Sequence, residues 1–127
     1  MQEQRCHCGA AAAFEDCCGP LLRGERVAET AEQLMRSRYS AYVIGDDAYL
    51  RATWHPETRP SRVRFTAGLR WLGLKICACE AGLAVDDQGM VEFVARAKEG
   101  GRASRLHERS AFSKVDGRWY YLRGQHL

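Results

Sequence analysis

Four of the chain's six cysteines fall within thirteen positions, as Cys6-x-Cys8, eight residues, then Cys17-Cys18. Two close thiol pairs joined by a short turn can wrap one metal ion without a large core beneath them. In a reducing compartment this pattern reads as a metal site rather than as disulfides. Zinc suits four thiolates because it is borderline-soft, redox-inert and tetrahedral. Four thiolates around Zn²⁺ leave a net charge of about −2, which calls for nearby N–H donors. Gly9 and Gly19 permit the tight turns that would supply them. With all four positions filled, the site is structural and offers no place to a reacting water. His7 lies inside the cluster but is not needed as a ligand. The remaining pair, Cys77-x-Cys79, lies in a strand-like run where i and i+2 share a face. That is a poor geometry for a disulfide, and both are expected as core or half-buried thiols.

A second set of residues, Arg38, Tyr39, His55, Glu108, Tyr121 and Arg123, carries the groups a polar pocket needs. Gathered together they would bind a small ligand or run acid–base chemistry. Whether they gather depends on the elements that carry them.

Residues 1–19 form the zinc knuckle, 20–29 a connector without periodicity, and 30–127 an α+β domain. Thr30-Ala-Glu-Gln33 is a capping box that starts a helix running to about Ile44 and ending at Gly45. Asp46 caps a second helix that must stop near His55, because Pro56 follows. Ser61 to Gly68 is expected as a short third helix. From Leu69 the apolar period changes from 3.6 to 2, and four strands follow at roughly 70–85, 90–99, 104–115 and 118–125. Gly100-Gly101 and Asp116-Gly117 are two-residue hairpin turns. Helices followed by an antiparallel meander predict helices packed on one face of a curved four-stranded sheet.

The turns fix the register, and the register fixes the faces. Ala95 opposes Leu106, Phe93 opposes Glu108, Val91 opposes Ser110, Phe112 opposes Tyr121 and Ser110 opposes Arg123. One face then carries Val91, Phe93, Phe112 and Trp119, and the helices must cover it. Glu108 stands on that same face, where an unpaired carboxylate would cost several kcal/mol. Arg123 is its diagonal neighbour. Arg38 falls inside the apolar stripe of the first helix, Ala31, Leu34, Met35, Tyr39 and Tyr42. Glu108 with Arg38 and Arg123 is the simplest mutual solution. Such a cluster serves either as a ligand pocket or as a buried ion network tying helix to sheet. His55, at a helix end beside Trp54, serves either as a base at the pocket mouth or as a cap on the last carbonyls.

The net charge of +3, from 19 basic and 16 acidic residues, is too mild and too scattered to argue for nucleic acid. The longest apolar stretch, Leu69 to Val85, is interrupted by Arg70, Lys75 and Glu80, which excludes a bilayer span. Met1 to Arg5 carries no apolar segment, so no secretory leader is expected and the expected compartment is the cytoplasm.

The Cys6-His-Cys8-Gly and Cys17-Cys18-Gly19-Pro20 pattern resembles the SEC-C zinc motif found at the end of the SecA translocation ATPase. Leu34-Met35-Arg36-Ser37-Arg38-Tyr39, Thr53-Trp54-His55-Pro56, Trp71-Leu72-Gly73-Leu74, Glu108-Arg109-Ser110-x-Phe112 and Gly117-x-Trp119-Tyr120-Tyr121 resemble the bacterial YchJ family. That likeness implies a fold similar to nuclear transport factor 2, a cone of curved antiparallel sheet closed by helices. It implies no established activity. The SEC-C likeness suggests a zinc-bearing protein-binding or adaptor module, because in the ATPase the motif contacts an export chaperone. The alternative is a small enzyme of isomerase, dehydratase or hydrolase type, using a polar pocket inside the cone.

Overall fold

The computed structural model describes residues 5–127, so the first four residues of the knuckle lie outside it. A 3₁₀ turn at Phe14–Asp16 leads into α1 (Cys18–Leu22), α2 (Ala31–Ile44) and α3 (Asp47–Ala52). Strands β1 (Leu69–Ala81), β2 (Gln88–Glu99), β3 (Arg102–Val115) and β4 (Arg118–His126) follow in one antiparallel sheet of order β1-β2-β3-β4. Among the described residues no helix is long and apolar enough to cross a membrane.

Thr30 caps α2 as expected, its Oγ1 accepting from the Gln33 N–H at 3.1 Å, while Gln33 Oε1 accepts from the Glu29 N–H, one residue before the cap. Asp46 caps α3 by accepting from the Tyr49 N–H at 3.0 Å. This helix stops at Ala52, earlier than the His55 expected, because the sheet edge takes over the backbone. The Tyr121 N–H donates to the Thr53 carbonyl and the His55 N–H to the Tyr121 carbonyl, each at 2.8 Å. Residues 53–55 thereby cover the free edge of β4.

The expected helix at Ser61 to Gly68 does not form. This stretch has no apolar stripe to bury. It runs irregularly from α3 to β1, held by the Val63 N–H on Asp47 Oδ1 and by Phe65 against Tyr42. The expected connector begins inside α1, where Pro20 sits in the first turn and needs no helical N–H partner.

Both hairpins hold the expected register. Glu99 pairs with Arg102 and Phe93 with Glu108, and Val115 pairs with Arg118 and Phe112 with Tyr121. Positive φ at Gly100, Gly101, Asp116 and Gly117 fits the two-residue turns. Past Phe112 the β4 register shifts, because Leu122 is an extra residue and Arg123 pairs with Ala111. Two further bulges, at Leu72 and Cys77, break β1. Such insertions bend the strands and curve the sheet around α2.

The helix-covered face holds the core. Leu34, Met35 and Tyr39 of α2 meet Val91, Phe93, Phe112 and Trp119, and Cys6, Cys8, Cys18 and Leu21 belong to the same contiguous cluster. The knuckle is therefore seated on the core and does not merely precede it.

Candidate metal centre and cone chamber

The chain brings Cys6 and Cys8 together in a turn closed by the Cys6 N–H on the Ala12 carbonyl and the Gly9 N–H on the Cys6 carbonyl. Cys17 and Cys18 approach from the start of α1. The four sulfurs lie within 4.8 Å of one another, and Cys8 Sγ is 3.7 Å from Cys17 Sγ. A tetrahedron with metal–sulfur bonds of about 2.3 Å has edges of about 3.8 Å, so the donor set fits a four-thiolate ion. His7 lies outside that set, its ring edge-on to Phe14.

The local electrostatics favour one thiolate, at Cys8. Hydrogen bonding from Cys18 holds Cys8 down at about 4. Burial pushes Cys17 up to about 12, and the hydrogen bond to Cys8 together with burial pushes Cys18 up. The four sulfurs thus share their negative charge unevenly, and a divalent ion would displace the remaining protons. Compensation comes also from Arg36 of α2, whose Nη1 donates to the Cys8 carbonyl at 2.8 Å and lies 3.8 Å from Cys8 Sγ. Arg36 is missing from the sequence-based site because nothing local links it to a cysteine 28 residues away.

The second site is a cavity of about 240 Å³ between α2, the Thr53–His55 edge and the inner sheet face. Its floor is buried Phe93, Ala95, Glu108 and Ser110, and its rim is partly exposed Tyr42, Trp54, Trp71 and Leu106. Arg38, Tyr39 and Tyr121 line the walls. Four of the six pocket candidates therefore share one chamber: Arg38, Tyr39, Glu108 and Tyr121.

Arg123 and His55 stand elsewhere. The Leu122 bulge turns Arg123 to the outer face, where it is exposed. Gly124 takes the position beneath Glu108 instead, and a Cβ there would fall on the Glu108 carboxylate. His55 accepts from the Glu57 N–H through Nδ1 and stacks edge-on to Tyr120, so it organises the loop outside the chamber.

The expected direct pairing of Glu108 with Arg38 or Arg123 does not occur. Arg38 is 3% exposed and donates from Nη1 to the Leu50 carbonyl at 2.8 Å and to Thr53 Oγ1 at 2.7 Å. Its guanidinium carbon lies 4.9 Å from the Trp54 ring centroid and 4.6 Å from that of Tyr121. The Leu50 carbonyl, the Thr53 hydroxyl and two aromatic rings thus hold this cation. Burial still lowers it to about 10. Glu108 Oε1 accepts from Ser110 Oγ at 3.2 Å and from the Tyr121 hydroxyl at 3.3 Å. Burial and the nearby carboxylate push the Tyr121 phenol up, so it stays a donor. Burial also pushes Tyr39 up to about 12. The chamber thus offers a hydrogen-bond acceptor at Glu108 and a donor at Arg38 inside an aromatic box.

Cys77 and Cys79 are both exposed, against the expected burial. The bulge at Cys77 breaks the alternation, so the two thiols do not share a face. Cys77 turns outward beside Glu92 and His107, a pair joined by a 3.0 Å contact and flanked by Arg109. Cys79 reaches Glu32 at the margin of α2.

The YchJ middle NTF2-like domain matches residues 30–124. A UPF0225 protein of Chromobacterium violaceum is 51% identical over 94% of this chain and 90% of its own length. One from Streptomyces coelicolor is 48% identical over 100% of this chain and 99% of its own. The solution structure of RPA3114, a SEC-C motif containing protein from Rhodopseudomonas palustris, superposes with a TM-score of 0.85 at 37% identity, covering 98% of this chain and 99% of the other. The crystal structure of a SEC-C motif containing protein from Psychrobacter arcticus gives a TM-score of 0.74 at 28% identity, covering 97% and 81%. A cysteine cluster seated on an NTF2-like cone, with relatives matching along nearly the whole chain, shows that this protein belongs to the YchJ family, also named UPF0225.

Proposed function

We propose that this chain is a small-molecule-binding protein whose cone holds the ligand and whose zinc knuckle braces the cone. The observation that carries the reading is the chamber of about 240 Å³ into which a buried guanidinium and a buried carboxylate both face without pairing. A direct ion pair between Arg38 and Glu108 would use up hydrogen-bonding capacity on both groups. Here each is held by other groups, and both keep hydrogen-bonding capacity for an occupant. Cys6, Cys8, Cys17 and Cys18 would hold zinc. Closed by four thiolates, that ion supplies rigidity rather than a coordination site for substrate.

The reading is tested by screening neutral and charged fragments by protein-observed NMR, following the indole N–H signals of Trp54 and Trp71 at the rim. Hits are expected to shift both signals, and Leu106→Trp, which plugs the mouth, is expected to weaken them by about tenfold or more. A screen in which no fragment moves either indole, or hits indifferent to Leu106→Trp, would remove the chamber as the site.

A second reading keeps the knuckle as a protein-binding or adaptor surface. Supporting it, Gly9, Ala11, Glu15 and Asp16 of the knuckle are exposed. Because the cysteines belong to the core, deleting residues 1–19 would confound binding with folding. Glu15→Lys with Asp16→Lys leaves every sulfur in place. A pull-down should lose its partners with this double variant if the acidic tip is the contact, and unchanged partners would refute that role.

A further inference from the structure

Charge and hydrogen-bond capacity in the chamber narrow the class of its ligand. We infer that the occupant is a small, flat, uncharged molecule presenting an amide-like edge, one N–H beside one C=O, as in a lactam, a cyclic imide or a primary carboxamide. The inference rests on the chamber being a ligand site.

Charge decides first. Arg38 and Glu108 are the two charged side chains lining the cavity, and their charges cancel. An anion or a cation entering this space would leave one charge uncompensated in a site whose floor is buried, and such burial is penalised heavily. A neutral occupant keeps the balance.

Hydrogen-bond capacity decides next. The bonds from Arg38 to protein leave from Nη1, toward Leu50 and Thr53. Among the described residues, Nη2 and Nε have no protein acceptor. Both bonds into Glu108 arrive at Oε1, from Ser110 and Tyr121, leaving Oε2 as the open acceptor. An occupant must therefore bring an acceptor for the guanidinium and a donor for the carboxylate. A C=O and an N–H on one edge supply both, in charge-assisted bonds that are stronger than neutral ones.

Shape decides last. Tyr39, Trp54, Trp71, Phe93 and Tyr121 present ring faces and edges to the cavity, which favours a planar ring over a branched aliphatic. At about 240 Å³ the space falls below that of drug-sized pockets. One ring or two fused rings is the scale that fits.

Three probes of one shape and different charge test this: benzamide, benzoate and benzamidine. Benzamide is neutral with a donor and an acceptor, benzoate is an anion with acceptors alone, and benzamidine is a cation with donors alone. Each is titrated by NMR against the zinc-loaded full chain. Benzamide is expected to bind at least about tenfold tighter than either charged analogue. In Glu108→Gln, which keeps the volume but makes the chamber positive, benzoate is expected to overtake benzamide. The wild-type ranking decides even if that variant folds poorly. Benzoate or benzamidine binding the wild type as tightly as benzamide overturns the ligand class and leaves the chamber as a site. No chamber shift with any of the three overturns both.

Discussion

Replacing Cys8 with serine is expected to release one zinc per chain and to lower the melting temperature by about 10 °C or more. Cys8 is fully buried. Its sulfur lies against those of Cys17 and Cys18 and against the Arg36 guanidinium. Serine there removes a thiolate ligand and leaves Arg36 facing a neutral hydroxyl. Structural zinc contributes apparent binding free energies of about 10–16 kcal/mol in small zinc modules, as large as the whole stability of an ordinary domain. In this chain part of that would go into ordering residues 5–22 against α2. Losing the remaining part, at least about 3 kcal/mol, gives the expected shift in melting temperature.

A knuckle that precedes a separate hydrophobic core, as the sequence alone divides the chain, implies an α+β domain that stays folded when stripped of metal. The core now makes the coupling tighter, because Cys6, Cys8 and Cys18 pack in one cluster with Leu34 and Met35. The expected outcome of chelation is therefore a retained sheet signal at room temperature with the lowered melting point of Cys8→Ser. Hydrogen exchange should accelerate over residues 5–22 and along the knuckle-facing side of α2. Cys77→Ser, at an exposed thiol outside the cluster, should leave metal content unchanged and stability within about 0.5 kcal/mol. Metal analysis and thermal melts of the three samples decide the matter. An unchanged melting point on metal loss would show that the knuckle does not brace the cone. Complete loss of sheet would show that the cone cannot stand without it.

How far the sequence foretold this site depends on where the backbone follows a simple rule. Gly100-Gly101 and Asp116-Gly117 allow little freedom of loop length, so counting outward from them places Phe93 opposite Glu108 and Phe112 opposite Tyr121. The cap at Thr30 and the stop at Gly45 are equally local, and so is the inward position of Arg38. Bulges follow no such rule. Leu72, Cys77 and Leu122 are each one residue too many for the partner strand, and nothing in their types announces it. Each insertion reverses the alternation beyond it, which is why Arg123 points outward and Cys77 and Cys79 part company. The pairing of Arg38 with Glu108 failed for a different reason. A buried cation needs no carboxylate where other groups hold it, and the Leu50 carbonyl, the Thr53 hydroxyl and the rings of Trp54 and Tyr121 hold Arg38.

The same bulge yields a test of the chamber's geometry. Gly124→Ala is expected to destabilise the protein by about 2–4 kcal/mol. The cause is steric and not conformational, since Gly124 is absent from the residues with positive φ and any side chain is compatible with its backbone. Its Cβ would occupy the space of the Glu108 carboxyl group and approach the Tyr121 hydroxyl. To admit it, Glu108 must swing away, giving up its bonds to Ser110 and Tyr121 inside a buried site. Glu108→Ala alone is expected to cost about 1–3 kcal/mol, because Arg38 keeps Leu50, Thr53 and two rings. Once Glu108 is alanine, the space over Gly124 is free, and adding Gly124→Ala should change stability by no more than about 0.5 kcal/mol. Denaturant melts of the four proteins close the cycle, with a coupling of about 2–3 kcal/mol expected between two residues that are not directly opposed in the ladder. If the two costs add instead, the carboxylate does not lie over Gly124. Glu108 would then point elsewhere in the cone, and the donor–acceptor pair assigned to the ligand would lose its acceptor.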